Sequence, residues 1–149
     1  MQKEIKYIIS CIFFILIFAS FKPNTEEGIK VSITNLRSNN GFVLISLYKE
    51  GIGYPNEPSK AFRKEKLIIK NKNASILFSG LPAGKYAIAI LHDENNDQEM
   101  NKNFWGIPKE GYGFSKNVMG TFGPPSFSKA SFRHTAGLLT QVLIKAKYF

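Results

Sequence analysis

The chain has 149 residues, of which 44% are hydrophobic and 21% are charged. This length holds one domain with its own core, and this balance excludes both a disordered chain and a protein embedded in a membrane throughout. The net charge of +9 comes from lysines dispersed along the sequence, which argues against nucleic acid as a partner because nucleic-acid binders concentrate their charge on one face.

Residues 1–21 are predicted to be a secretory signal peptide or a retained N-terminal anchor. Lys3 and Lys6 form a basic head, and a nearly continuous apolar run follows them, which is typical of an export signal. Cys11 is the only cysteine and lies in this run, so cleavage leaves a domain without thiols or disulfides. We therefore expect an exported protein, periplasmic or secreted, that touches a membrane only through an uncleaved N-terminal segment.

The next elements are a polar tether at 22–28 and a strand with period two. Apolar and polar residues alternate through 29–34, as in a strand with one buried face. Asn40-Gly41 is the dipeptide most typical of a tight turn between paired strands, and it predicts a hairpin at this point. The run 42–48 is apolar on both faces, which indicates a central strand.

The remaining elements are short strands separated by turns rich in Gly, Pro and Asn. One helical turn is expected at 59–64, and two strands are expected on either side of a turn at 71–73. The run 86–92 is apolar on both faces, as in a strand buried on both sides. The strands predicted in this part of the chain are 67–70, 74–79, 86–92, 130–133 and 138–147.

These patterns predict an all-β domain over 29–149. About seven short strands and almost no helical period favour a single antiparallel β-sandwich of an immunoglobulin-like or transthyretin-like kind. The region 93–127 departs from the pattern, because it contains no long strand. Connections of this length in compact domains tend to be functional or to fold as ordered loops.

The region 93–127 is therefore predicted to be an ordered Gly/Pro/aromatic loop that folds over one end of the sandwich. Its aromatic side chains need burial, and its glycines allow backbone bends that other residues resist. Phe104, Phe114 and Phe122 are interpreted mainly as a roof over the open end of the core. In that role their apolar area takes the place of the missing disulfides.

The most specific signal is the run 80–117, GLPAGKYAIAILHDENNDQEMNKNFWGIPKEGYGFSKN, followed by GTFGPPSF at 120–127. This signal resembles a family of exported bacterial proteins, the domain of unknown function 2141 family. The similarity extends over the whole domain and is most specific at 92–115. The resemblance implies a secreted β-sandwich with no assigned activity. The turn and strand at 80–88 are also similar, more weakly, to transthyretin-like and carboxypeptidase-regulatory-like sandwiches.

An acidic turn at the start of the loop suggests a calcium site. Ca²⁺ takes six to eight hard oxygen ligands, and alternating Asp and Asn side chains on a turning loop can bring several of them together. Calcium is the one cofactor that the sequence suggests. The candidate ligands are Asp93, Asn95, Asp97, Glu99 and Asn101.

The spacing also argues against calcium. In an EF-hand register Gln98 stands where glycine is needed, and Phe104 stands where a bidentate glutamate is needed. The family pattern that the resemblance implies has glycine in place of Gln98 and aspartate in place of Asn101. The alternative is a polar turn in which Asp and Asn side chains accept hydrogen bonds from their own backbone, and we favour it.

No catalytic residue is predicted. His92 and Asp93 are adjacent on a strand, so their side chains point to opposite faces and do not form an acid–base pair. His92 lies on the same face of its predicted strand as the buried positions, so we expect a hydrogen-bonded residue at the edge of the core. The chain has no nucleophile elbow and no phosphate-binding glycine run. We therefore expect a protein that is not an enzyme.

The remaining function is binding, with the loop as the contact region. Trp105 and Tyr112 each carry a polar group that suits a half-exposed position, and loops on a rigid sandwich are the usual place for recognition. His92 and Phe114 complete the candidate ligand-binding set. We expect an envelope-associated binding module whose partner is a glycan or a protein of the cell envelope. The alternative is a structural calcium-binding domain.

Overall fold

The computed structural model describes residues 26–121 and 123–149, so the predicted export segment and Phe122 lie outside the described residues. Within this part of the chain, eight strands form two sheets that enclose one core, as predicted for a β-sandwich. The strands are β1 (Gly28–Thr34), β2 (Phe42–Lys49), β3 (Arg63–Ile68), β4 (Ala74–Phe78), β5 (Gly84–Asp93), β6 (Gly111–Phe114), β7 (Phe132–His134) and β8 (Leu139–Lys145).

The smaller sheet has the order β4-β1-β8 and is built around the first strand. β1 runs antiparallel to β4 but parallel to β8, so this one pair departs from a purely antiparallel sandwich. Ile29, Val31 and Ile33 are fully buried between the sheets. Their burial confirms the half-buried strand that the period of two predicts.

The larger sheet has the order β3-β2-β5-β6, with β7 also paired to β5. β2 is central, as its two apolar faces predict, and β5 is buried along most of its length. β7 pairs with the start of β5 and β6 pairs with its end, both on the edge that faces away from β2. The end of β5 therefore lies between two strands, at the point where the loop begins.

The hairpin predicted at Asn40-Gly41 is wrong. β1 and β2 belong to different sheets, so the connection between them crosses the sandwich instead of closing a ladder. Gly41 is required for a different reason: its φ is +66°, and a Cβ there would lie 1.8 Å from the carbonyl oxygen of Asp93. The connection thus packs its backbone against the end of β5.

The turn predicted at 71–73 is present, but it also joins the two sheets. Asn71 and Lys72 have left-handed φ angles of 51° and 58°, and a single bridge pairs Lys70 with Asn73. β3 and β4 then separate into different sheets. The helical turn expected at 59–64 is a 3-10 turn at Pro58–Lys60, because β3 already begins at Arg63.

The region 93–127 is ordered and contains short elements of its own. β6 and a 3-10 turn at Ser115–Asn117 follow its first half, and a single helical turn, α1 (Phe127–Ala130), ends it. The hydroxyl of Ser115 donates to the carbonyl oxygen of Ala130 at 2.8 Å and accepts from the N–H of Ile88 at 2.9 Å. Among residues 26–121 and 123–149, no helix is long and apolar enough to cross a membrane.

Candidate binding loop

His92 lies inside the sandwich at the end of β5. It is fully buried, its Nδ1 lies 2.6 Å from the hydroxyl oxygen of Tyr148, and its Nε2 lies 2.9 Å from the carbonyl oxygen of Asn40. The prediction of a hydrogen-bonded histidine at the edge of the core is confirmed. Both ring nitrogens have partners within the protein, so the imidazole is a structural group in this arrangement.

Asp93, the next residue, organises the acidic turn, which we define as residues 93–101. Its carboxylate is fully buried and accepts the N–H of Asp97 at 3.2 Å and the N–H of Gln98 at 3.0 Å. Asn96 and Gln98 both have φ near 64°, in the left-handed region. The side chain therefore caps a tight turn, which is the arrangement favoured over calcium from the sequence.

Glu110 connects the two ends of the acidic turn. This buried carboxylate accepts the N–H of Glu94 through Oε1 at 3.0 Å and the N–H of Asn101 through Oε2 at 3.1 Å. A buried charge needs such partners to be tolerated. Sequence reasoning missed Glu110; the only signal was a lone acid immediately before a glycine-rich strand.

Arg37 fastens the loop to the connection between β1 and β2. Its guanidinium pairs with the carboxylate of Glu94, donating from Nε at 2.9 Å and also from Nη2. Nη2 also donates to the carbonyl oxygen of Lys109 at 3.0 Å, and the guanidinium lies over the ring of Tyr148 at 4.8 Å. The hydrogen bond from Arg37, helped by one from Ser38, lowers the pKa of Glu94.

The remaining candidate calcium ligands lie on the outside of the acidic turn. The Nδ2 of Asn95 donates to Asp97 and to the Oδ1 of Asn101, both at 2.8 Å, and the Nδ2 of Asn101 donates to Asp97 at 2.7 Å. The amide of Asn101, the N–H of Glu99 and the amide of Asn95 together lower the pKa of Asp97. Within the described ranges, no group of three or more His, Cys, Asp or Glu side chains is placed to hold a metal ion.

After the acidic turn, residues 101–109 form a short hairpin. The N–H of Lys109 donates to the carbonyl oxygen of Asn101 at 2.8 Å, and the N–H of Asn103 donates to the carbonyl oxygen of Ile107 at 2.9 Å. Lys102 and Pro108 pair between these two hydrogen bonds. The loop therefore projects from the sandwich as a hydrogen-bonded ribbon.

The end of this hairpin, residues 103–107, is the tip. The side-chain oxygen of Asn103 accepts the N–H groups of Trp105 and Ile107, each at 2.9 Å, and this fixes the turn. Phe104 is 94% exposed, Trp105 is 81% exposed and Ile107 is 42% exposed. The two aromatic rings meet edge to face, with centroids 5.5 Å apart.

The placement of Phe104 contradicts the roof predicted from the sequence. Its ring points away from the sandwich, because Asn103 turns the backbone outward before it. Phe114 is buried as expected, beside Tyr54 at 6.3 Å between centroids. Phe122, the third predicted roof residue, lies outside the described residues.

The four predicted ligand-binding residues do not share one surface. His92 and Phe114 are buried, whereas Tyr112 is half-buried and stacks on Phe149 with centroids 6.0 Å apart. Trp105 alone of the four is largely exposed. Contact with a ligand at the loop therefore depends on the tip. The sequence identified Trp105 as a contact residue there, but it predicted that Phe104 lies inside the domain.

Comparisons with known proteins give one family. The family model described as "Uncharacterized protein conserved in bacteria (DUF2141)" matches residues 31–141, which run from the middle of β1 to the first residues of β8 and include the whole loop. No curated protein and no solved structure matches the chain significantly.

Proposed function

The chain belongs to the DUF2141 family, and we propose that it is an exported, non-enzymatic binding module that attaches to the bacterial cell envelope through its loop. The observation that carries this proposal is the exposure of Phe104 and Trp105 at the tip. Two adjacent aromatic side chains held out in water are unfavourable for a free domain and are typical of a contact site.

The hydrogen bonds beneath the tip support recognition. Asn103 fixes the turn, Glu110 joins the ends of the acidic turn, and Arg37 ties that turn to the sandwich. A loop that is already ordered loses little conformational entropy when it binds. The aromatic pair is therefore presented in a defined geometry.

The interior of the loop supports a role without catalysis. A general base must reach the proton that it removes, but His92 is buried and both of its ring nitrogens have partners. The carboxylates of Asp93 and Glu110 are buried and accept backbone N–H groups. These three buried groups thus hold the loop in place.

Export remains part of the proposal and is supported by the sequence alone. The basic head and apolar run of residues 1–21 are typical of a secretory signal. The lack of cysteine after Cys11 is consistent with a domain that does not depend on thiol chemistry.

Cosedimentation with a bacterial envelope preparation, membranes together with wall polymers, tests the binding function. The full chain is compared with a Phe104→Ser/Trp105→Ser variant and with an Ile68→Ser/Leu138→Ser control. The control removes two other exposed apolar side chains, which are 70% and 60% exposed. All three proteins carry the same N-terminal segment, so their differences isolate the tip.

We expect the tip variant to lose at least about tenfold of its envelope affinity, since burial of one large apolar side chain contributes about 1.5–3 kcal/mol. The control should bind like the wild type, and all three proteins should have similar unfolding midpoints. Equal binding by the wild type and the tip variant would contradict the proposal.

Calcium binding in the acidic turn stays a prediction. The hydrogen bonds described above favour the alternative, a turn whose side chains accept hydrogen bonds from its own backbone. Asp93 and Glu110 already use their carboxylate oxygens on backbone N–H groups, and Phe104 occupies the last EF-hand position. Thermal unfolding with millimolar calcium and then with chelator tests the hypothesis. An ion bound to the folded state raises the midpoint, whereas equal midpoints would exclude a stabilising site.

An Asn101→Asp variant sharpens this test. Its new carboxylate lies beside Asp97 and matches the aspartate that the resemblance to the family implies at this position. Without a bound ion, the repulsion between the two carboxylates lowers stability. If calcium binds in the turn, calcium reverses that loss.

A further inference from the structure

The tip combines apolar side chains with positive charge in a narrow projection. Phe104, Trp105 and Ile107 form its exposed end, and Lys102 and Lys109 are exposed where the two strands of the hairpin reach it. Residues 102–109 contain no acid. The tip is therefore apolar at its end and positively charged directly behind it.

We infer that the tip inserts into the interface of an anionic lipid bilayer, with the aromatic side chains among the lipids and the two lysines at the phosphate level. The inference rests on the proposed function and names its ligand. It adds a second membrane contact, because the sequence predicts contact with a membrane only through the N-terminal segment.

The shape of the tip favours a bilayer over a compact ligand. Phe104 is almost completely exposed, so no wall of protein stands beside it to enclose a sugar or a peptide. Two surface pockets of the described chain are lined by residues of 32–34 with 66–75, and by residues of 49–62, and no residue of the loop lines either of them. A convex apolar end enters a soft interface without needing a complementary cavity.

The chemistry of the side chains also fits the interface. Tryptophan concentrates at the headgroup level of membranes, because its ring is amphipathic. A lysine close to an anionic membrane surface contributes about 1 kcal/mol, which corresponds to about fivefold in affinity. Lys102 precedes the tip in the chain and Lys109 follows it, so both reach the headgroups when the tip enters.

Trp105 makes a direct test possible, because it is the only tryptophan in the chain. Its fluorescence reports the tip alone, even if another segment attaches the full chain to a membrane. The full chain is mixed with vesicles of phosphatidylcholine containing phosphatidylglycerol, and separately with pure phosphatidylcholine vesicles. Emission wavelength and quenching by lipids brominated on the acyl chain are measured in both.

We expect a blue shift and quenching on anionic vesicles, and both weaken at high salt because the lysine contribution is screened. Phe104→Ser should lower the vesicle affinity measured by this signal at least about tenfold. Lys102→Gln/Lys109→Gln should lower it about twenty-fivefold. A Lys64→Gln/Lys70→Gln control removes the same charge from exposed positions that are distant from the tip in the sequence. This control should change the vesicle affinity much less.

Sedimentation with anionic vesicles without any change in Trp105 fluorescence or quenching would overturn the inference. A second measurement uses envelope material from which the lipid has been extracted. It distinguishes a failure of the lipid inference from a failure of the proposed function. If Trp105 responds to stripped material but not to vesicles, the ligand is a wall polymer or a protein, and the lipid inference is wrong while the binding function stands. If Trp105 responds to neither, and the tip variant sediments like wild type, both are wrong.

Discussion

The hydroxyl of Tyr148 lies 2.6 Å from Nδ1 of His92, and it also accepts the backbone N–H of Arg37 at 3.1 Å. A residue next to the C-terminus is thereby joined to the end of β5 and to the connection between β1 and β2. The ring of Tyr148 also packs closely on Gly111, where an added Cβ would lie 2.4 Å from it. One phenol thus contacts the residues on either side of 93–110, the part of the loop that contains the acidic turn and the hairpin.

Tyr148→Phe is expected to destabilise the domain by about 1–3 kcal/mol, because it leaves a nitrogen of the buried His92 without a partner. Urea unfolding measures the change in the free energy of unfolding. Tyr112→Phe, at a half-buried tyrosine outside this network, is the matched control and should change it by about 0.5 kcal/mol or less. Equal effects of the two substitutions would show that the His92 contact contributes little.

Glu94 is expected to make stability depend on pH in the acidic range. Its pKa lies below the ordinary value of 4.5, mainly because of the hydrogen bond from Arg37. The stabilisation is therefore complete above that ordinary value and is lost as the pH falls through the lower pKa of the folded state. Glu94→Gln should remove this part of the slope when urea unfolding is repeated between neutral and acidic pH.

Glu65→Gln provides the control for that experiment. Glu65 is exposed on β3, at the far edge of the sheet from β6. This variant should keep the pH profile of the wild type. If Glu94→Gln keeps it as well, the contact between Arg37 and Glu94 does not stabilise the fold.

Gln98→Gly is expected to stabilise the domain by about 0.5–1 kcal/mol. Gln98 has φ of 64°, a conformation that costs a residue with a Cβ about 1–2 kcal/mol, whereas glycine adopts it freely but loses more chain entropy on folding. The N–H that donates to Asp93 is retained. Glu99→Gly, at a neighbouring position without positive φ, should instead destabilise, and thermal unfolding distinguishes the two.

Asp93→Asn is expected to destabilise by about 1.5–3 kcal/mol. The change replaces a buried carboxylate that accepts two N–H groups with an amide that has only one acceptor oxygen. Asp97→Asn should cost less, because Asp97 is exposed and water replaces its lost hydrogen bonds. Urea unfolding of both variants measures the difference, and a larger loss for Asp97→Asn would be the contrary result.

Local patterns predicted the strands well, because alternation reports which face of a strand is buried. The burial of β1 and β5 and the inward orientation of His92 all follow from parity alone. Turn dipeptides were a poorer guide. Asn40-Gly41 has the chemistry of a hairpin, but the same left-handed glycine also allows the backbone to pass close to Asp93 on its way to the other sheet.

The candidate site depended on contacts that no local pattern contains. Arg37 and Glu94 are separated by 57 residues, and the partners of Glu110 are backbone N–H groups that lie 16 and 9 residues earlier in the chain. Phe104 was predicted inside because it is apolar. Its outward position follows from the way Asn103 accepts two N–H groups and turns the chain.

The parallel pairing of β1 with β8 joins the first strand of the domain to the last. The side chain of Asn35, at the end of β1, donates to the carbonyl oxygen of Ala146, which is 111 residues away in the chain. Without β8, the smaller sheet is a two-stranded ribbon, which is marginal in water. Closing so long a loop has an entropic cost before any contact offsets it, and such topologies fold slowly. The smaller sheet is therefore incomplete until the last strand has been synthesised, and the proposed export has that interval in which to act on a chain that has not finished folding.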